Sequence, residues 1–167
     1  RDLLHYLNKI GLPCGCEFLD PITPHYISDL ISWGAIGART TESQVHRQLV
    51  SGLSMPIGFK NGTEGNIDIC ADAQNSSKNK HCFMGINDYG EACIINTNGN
   101  NNCHTILRGS KKEPNYRSNN INNTKKLLEL KNLKPKIMID CSHSNSKKDY
   151  RNQQSVFENV INQNCPS

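Results

Sequence analysis

The chain has 167 residues, with 19 Lys and Arg against 15 Asp and Glu for a formal net charge of +4. That length suffices for one domain with a real core, and basicity this mild, with only 6% aromatic residues, reads as a lysine-rich solvated surface and not as a nucleic-acid footprint. No apolar run approaches a membrane span, no signal-peptide pattern is visible, and the eight cysteines include no C-x-x-C pair, so a membrane protein, a zinc ribbon and a disulfide scaffold are set aside in favour of a reduced, cytoplasmic protein.

Leu3, Leu4, Leu7 and Ile10 recur at helical spacing and predict an opening helix that Gly11 and Pro13 end. The first residues, RDLLHYLNKIGLP, read as the last turns of a helix already under way, and the expectation is a fragment. GCEFLD predicts a short strand. Thr23 then caps a helix with Pro24 at its first position, where a missing N–H costs nothing, and Tyr26, Ile27, Leu30 and Ile31 supply its buried face. Residues 31–38, ISWGAIGA, predict a second strand, followed at once by Arg39 and by a helix whose Thr41-x-x-Gln44 start fits a capping box.

MPIGFKNG predicts a third strand, with Thr63 capping a helix through Ile67 and Ala71. HCFMGI and EACIINT flank Asn87-Asp88-Tyr89-Gly90 and predict a hairpin inserted at residues 81–97. HTILRG predicts a fourth strand of the buried kind, and the Asn- and Lys-rich residues 111–136 carry a helix on Leu127, Leu128 and Leu130. The Asn-rich tracts at residues 98–102 and 118–123 read as loops. KIMIDCSH predicts a fifth strand, and Ser146-x-x-Asp149 caps a last helix with Val156, Val160 and Ile161 on one side. Strands and helices alternate, and the strand runs are near-continuously apolar, which implies burial on both faces. The pattern predicts an α/β fold with a parallel sheet, open or closed into a barrel.

The strand ends share a feature. One ends at Glu17, the next at Arg39, then Lys60, Arg108 and His143. Parallel α/β folds collect their functional groups at the carboxyl ends of the strands. Three cations on one mouth repel one another unless an anion sits among them, so Arg39, Lys60 and Arg108 predict a phosphate or carboxylate ligand. Taken singly, each residue has a plainer reading: an arginine at a strand end is ordinarily an ion-pair partner, Lys60 a snorkelling side chain, and His143 a hydrogen-bonded structural residue. His46, inside a helix, reads as structural, and His104 is ambiguous.

Three stretches carry a family resemblance: EFLDPITPHYISDLISWGAIGARTTESQVHRQLVSGLSMPIGFKNGTEG, HTILRGSKKEPNY and KIMIDCSHSNSKKDYRNQ. Together they resemble the class I 3-deoxy-D-arabino-heptulosonate 7-phosphate (DAHP) synthases, with a likeness running over residues 11–163 and most specific in GARTTESQ and GFKNGT. The resemblance implies a (β/α)8 TIM barrel, of which this chain would hold the middle five strand–helix units as one partial domain, residues 1–167. It implies the entry reaction of the shikimate pathway toward aromatic amino acids, in which phosphoenolpyruvate condenses with erythrose 4-phosphate and releases phosphate. It also implies a divalent metal of the Mn, Fe, Co or Zn class. By resemblance, Arg39 and Arg108 are ligands of the phosphoenolpyruvate phosphate, Ala38 offers a backbone N–H, and Lys60 binds the carboxylate. Glu17 is the acidic residue that helps hold a water, and His143 is one metal ligand. Where this chain reads Arg108-Gly109-Ser110, the family usually has a second glycine, so Ser110 is expected to strain or redirect that loop.

A complete barrel takes about 250 residues. The resemblance places a cysteine metal ligand, a Lys-Pro-Arg-Thr motif and two acidic metal ligands in segments this chain does not include, and Cys14 and Cys16 stand on the wrong strand to replace the cysteine. The expectation is a chain that is inactive alone, and the alternative to a piece of the enzyme is an inactive truncated product retaining part of the site. The family's full-length members imply a homo-oligomer. An aromatic amino acid inhibitor pocket resembles Phe18, Asp20, Pro24, Leu53, Ser54, Phe83, Gly85 and Ile95, for which ordinary core and hairpin packing is the plainer reading. Gly85 resembles tyrosine-responsive members more than phenylalanine-responsive ones. No nucleic acid and no membrane partner is expected.

Overall fold

A computed structural model describes residues 1–87 and 89–164. Its elements are α1 (Asp2–Lys9), β1 (Gly15–Glu17), α2 (Thr23–Ile27), β2 (Trp33–Ile36), α3 (Gln44–Ser51), β3 (Ile57–Lys60), α4 (Asp68–Ser77), β4 (Cys82–Ile86), β5 (Ala92–Asn96), β6 (Cys103–Leu107), α5 (Ser118–Leu130), β7 (Ile137–Ile139) and α6 (Gln153–Asn164). Every predicted strand and helix is present. β1, β2, β3, β6 and β7 form one sheet in that order, all parallel. Strands β4 and β5 pair antiparallel as a separate hairpin, with Met84 opposite Ile94. Asp88, at the predicted turn, and Cys165 lie outside the described residues.

The central strands are buried as their apolar runs predicted: β3 throughout, and β2 from Gly34 onward. The edge strands β1 and β7 are only half covered, because each has a sheet neighbour on one side alone among the described residues. The core gathers Phe18, Ile36, Val50, Ile57, Phe59 and Cys70. Each of these Phe, Ile and Val side chains contributes about 1.5–3 kcal/mol by leaving water. Small residues let the large ones meet. A Cβ on Gly34 would stand 2.5 Å from Ile57 Cδ1 and 2.6 Å from Phe18 Cε2, so any side chain there would push two core residues apart.

Several helix starts differ from the sequence reading. Thr23 does not cap α2. Asp20 does, accepting from the backbone of Ile22 and Thr23 at 2.8 Å each and from the Thr23 hydroxyl at 2.6 Å. Thr41 is not a cap either. It is fully buried, and its hydroxyl lies within hydrogen-bond reach of the Gly37 and Lys60 carbonyls, stitching the end of β3 to the segment after β2. Helix α4 begins at Asp68, whose N–H is held by Asn66 Oδ1 at 2.9 Å, and not at Thr63. Ser146 serves the turn after β7, while Asp149 caps the 3₁₀ turn before α6. Tyr26, expected in the core, is 55% exposed because α2 is only five residues long and gives way to a 3₁₀ turn. The tract at residues 118–123, read as a loop, forms the first turns of α5, where Thr124 and Leu128 bury one face and outweigh asparagine's weak helix preference.

Candidate functional site

The parallel register determines where the strand ends fall. Glu17 is level with Ala35, Ile36 with Phe59, Lys60 with Ile106, and Leu107 with Ile139. The residues at and just past these positions therefore emerge on one rim. Glu17, Ala38, Arg39, Lys60, Arg108 and His143 all line a single cavity of about 670 Å³. Thr63, read from sequence only as a helix cap, and Lys148 line it as well.

Within it, Lys60 Nζ donates to Glu17 Oε2 at 2.8 Å and lies 3.8 Å from Asp140 Oδ2. Lys60 is 9% exposed, so its charge is held by two carboxylates and not by water. Arg39 is exposed and Arg108 is buried, and neither has an ion-pair partner among the described residues. Two unpaired guanidinium groups lining one cavity are chemically suited to an anion. His143 turns at φ +48, and its Nδ1 is 2.8 Å from Asp140 Oδ2.

Arg108 sits on a loop held from three sides. Its N–H donates to Asn61 Oδ1 at 2.9 Å, and Asn61 also bonds the Gly109 carbonyl. Asn115 accepts from the Gly109 N–H at 2.7 Å and donates to Asn61, while Asn145 accepts from the Asn115 N–H and donates to the Leu107 and Asp140 carbonyls. All three asparagines are buried. They lace the carboxyl ends of β3, β6 and β7 together. Nothing local in the sequence distinguishes them from the many surface asparagines. Asp140, three residues before His143, was within reach as a short-range acid–histidine pair and was missed.

Ser110 introduces no strain. The left-handed position is Gly109, at φ +78, where a Cβ would meet the Ser144 and Asn145 backbone at 2.8 Å. Ser110 instead has its Oγ placed to accept from the Lys112 and Glu113 N–H groups, closing the turn.

The other histidines lie elsewhere. His46 Nδ1 is 2.9 Å from Ser43 Oγ, a structural contact as expected. His104 is resolved as structural too. Trp33 Nε1 donates to its Nε2 at 3.1 Å, and burial pushes its pKa down. Of the residues resembling an inhibitor pocket, Pro24, Leu53, Phe83 and Ile95 line a small cavity of about 130 Å³, and Gly85 and Phe83 line an adjoining one of about 510 Å³. Phe18 is in the core, Asp20 holds the start of α2, and Ser54 is exposed, so these three line neither cavity.

A parallel α/β sheet with cationic side chains gathered at its strand ends is an arrangement common among phosphate-handling proteins. The sequence narrows that class: the chain matches the DAHP synthetase I family over residues 3–164, and it belongs to that family. It is 52% identical over 163 residues to a phospho-2-dehydro-3-deoxyheptonate aldolase of Escherichia coli K12 described as Phe-sensitive, covering 98% of this chain and 46% of the relative. It is 50% identical over the same span to a Tyr-sensitive aldolase of that name from Salmonella typhimurium. A solved structure of the aldolase from Francisella tularensis SCHU S4 superposes with a TM-score of 0.95 at 48% identity, covering 98% of this chain and 48% of that one. The chain thus spans about half the length of the relatives it matches. Among the described residues no helix is long and apolar enough to cross a membrane.

Proposed function

We propose that this chain supplies the phosphoenolpyruvate-binding part of an enzyme that condenses phosphoenolpyruvate with erythrose 4-phosphate to DAHP and inorganic phosphate, the first step of aromatic amino acid biosynthesis. The observation that carries the reading is the single cavity lined by all six residues to which the resemblance gives a substrate, water or metal role. The five parallel strands, in chain order, are read as an arc of a (β/α)8 barrel, in keeping with relatives about twice as long.

In this reading Arg39 and Arg108 hold the phosphate, and Lys60 takes the carboxylate when substrate displaces part of its contact with Glu17. C3 of the enol attacks the sugar aldehyde carbon. As the aldehyde C=O opens to an alkoxide, positive charge develops at C2. Water ordered by Glu17 adds there and gives up a proton while the alkoxide takes one up. In a later step the C2–O bond to phosphate breaks, releasing phosphate and leaving the C2 ketone. The cations orient the enol and tolerate its negative charge. A divalent metal would polarise the aldehyde. The described residues do not fit a complete metal site, since no group of three or more His, Cys, Asp and Glu could hold an ion. His143 is proposed as the one ligand from this chain.

Feedback control is proposed at the hairpin. Homologues described as Phe-sensitive and Tyr-sensitive match almost equally well, so an aromatic amino acid is the proposed effector. Tyrosine is favoured by the resemblance of Gly85 to tyrosine-responsive members alone, since Ile95 Cδ1, 2.2 Å from where a Cβ would stand, already fills the space beside it. A cytoplasmic location is in keeping with free thiols at all seven described cysteines, and a homo-oligomer is proposed for the full-length protein.

The test is calorimetric titration of phosphoenolpyruvate into the chain and into Arg39→Gln and Lys60→Met variants. Saturable binding weakened about tenfold or more by each change is expected, one charge-assisted contact being worth roughly 1.5–3 kcal/mol. Binding unaffected by either change would overturn the site. The alternative, an inactive product retaining part of the site, predicts the same binding but no turnover when the missing segments are supplied in trans.

A further inference from the structure

At the opposite end of the sheet from the strand-end cavity, where β6 and β7 begin, lies a separate cavity of about 280 Å³. Three segments enclose it: the end of α4, the turn that leads into β6, and the turn between α5 and β7. The backbone ties the last two together, since the Thr105 N–H donates to the Lys136 carbonyl at 3.2 Å. No lining residue is shared with the strand-end cavity.

Two independent features set this space apart. The first is charge. Lys78, Lys134 and Lys136 line it, none of them has a carboxylate partner among the described residues, and the lining contains no acid. Lys134 and Lys136 are exposed, so neither alone demands a ligand. Three like charges around one concave space nevertheless focus a positive field into it. Ammonium groups are point charges without the fork of a guanidinium, so they take carboxylate and phosphate oxygens alike.

The second feature is a buried acceptor. Gln74 is only 2% exposed, and its Nε2 donates to Thr105 Oγ1 at 2.8 Å, which holds the amide in place. Its Oε1 has no hydrogen-bond partner among the described residues, and no side-chain polar atom among them is both sealed from solvent and unpartnered. The Oε1 therefore opens on the cavity that Gln74 lines. A carbonyl oxygen so placed calls for a donor, which a fully ionised oxyanion does not supply.

We propose that this cavity binds a small multivalent oxyanion that also carries a hydroxyl group. The three ammonium groups hold the oxyanion, and the hydroxyl donates to Gln74 Oε1. The proposal is independent of the reading given to the strand-end cavity. Hydroxylated polycarboxylates and phosphorylated polyols share this chemistry.

The experiment is nuclear magnetic resonance titration of the chain with citrate and with glycerol 3-phosphate. Each is run beside its analogue without a hydroxyl, propane-1,2,3-tricarboxylate and propyl phosphate, and beside sodium chloride at matched ionic strength. Backbone amides of Asn101, Cys103 and Leu133 report this cavity, and those of Ala38 and Thr40 report the strand-end cavity. Saturable shifts at the first set with citrate or glycerol 3-phosphate, absent with chloride, are expected, and the tighter of the two tells carboxylate from phosphate. The analogue of that ligand should bind about threefold or more weakly, one neutral hydrogen bond being lost. Substituting Lys134→Gln and Lys136→Gln together should weaken binding at the first set about tenfold, while Arg39→Gln should leave it within about twofold. The site is refuted if neither ligand gives saturable shifts there, or if the shifts are reproduced by chloride, indifferent to the hydroxyl or unaltered by the double lysine change.

Discussion

Asp140 Oδ2 lies 2.8 Å from His143 Nδ1 and 3.8 Å from Lys60 Nζ, so one carboxylate oxygen faces both the proposed metal ligand and the proposed carboxylate ligand. Its other oxygen accepts from the Ser142 N–H at 2.8 Å, and its side chain is 16% exposed. An ionised carboxylate only accepts, so the shared proton belongs on His143 Nδ1 and the Nε2 lone pair is left free.

Replacing Asp140 by Ala removes the acceptor that selects this tautomer. At a pH where the imidazole is neutral, nitrogen-15 shifts of His143 should read the Nδ1–H form in the parent chain and a mixture weighted toward Nε2–H in the variant. An unchanged tautomer would show that Asp140 does not position the ring.

The asparagine lattice predicts a stability effect at a residue with no charge to contribute. Asn61→Leu leaves the Arg108 N–H and the Gly109 carbonyl without their buried partner. Each such group costs about 1–3 kcal/mol. A loss of at least about 2 kcal/mol in urea unfolding is expected, together with weaker phosphoenolpyruvate binding as the Arg108 loop loosens. The control is Asn101→Leu on an exposed loop, for which little change is expected.

His104 makes stability depend on pH. Burial, the largest cause, lowers its folded pKa below the ordinary 6.5, and the Trp33 N–H needs the Nε2 lone pair. The folded state therefore prefers neutral imidazole. The contribution is fully present above the unfolded value and is lost as pH falls through it toward the folded value, where the unfolded chain binds the extra proton. Urea midpoints should fall between pH 8 and pH 5, and His104→Gln should flatten that slope. An equal slope in both proteins would assign it to other groups.

The polypeptide of residues 1–167, assayed alone with manganese and both substrates, is expected to give no turnover. It spans 46% of the Escherichia coli relative, and β1 and β7 each carry an unpaired edge among the described residues. The same edges predict association at high concentration, visible by light scattering. Turnover at a rate typical of an intact enzyme would refute the expectation.

What could be learned from the chain in order was whatever a few neighbouring residues decide. Apolar runs marked the buried strands, and the charged residue closing each run marked Glu17, Arg39, Lys60, Arg108 and His143, because in a parallel sheet the direction of one strand is the direction of all. Local chemistry misled where a second partner competes for the same atom. The Thr41 hydroxyl lies on the Lys60 carbonyl, 19 residues away in sequence, and so is unavailable to cap a helix. Asn61, Asn115 and Asn145 looked like any surface asparagine until the fold brought together groups 30 to 54 residues apart. Residue order determined which side chains stand at the strand ends. Only tertiary packing decided which of their polar atoms are already bonded and which, like the Arg39 and Arg108 guanidinium groups, remain open to a ligand, because a hydrogen-bond donor is committed by its spatial neighbours and not by its sequence neighbours.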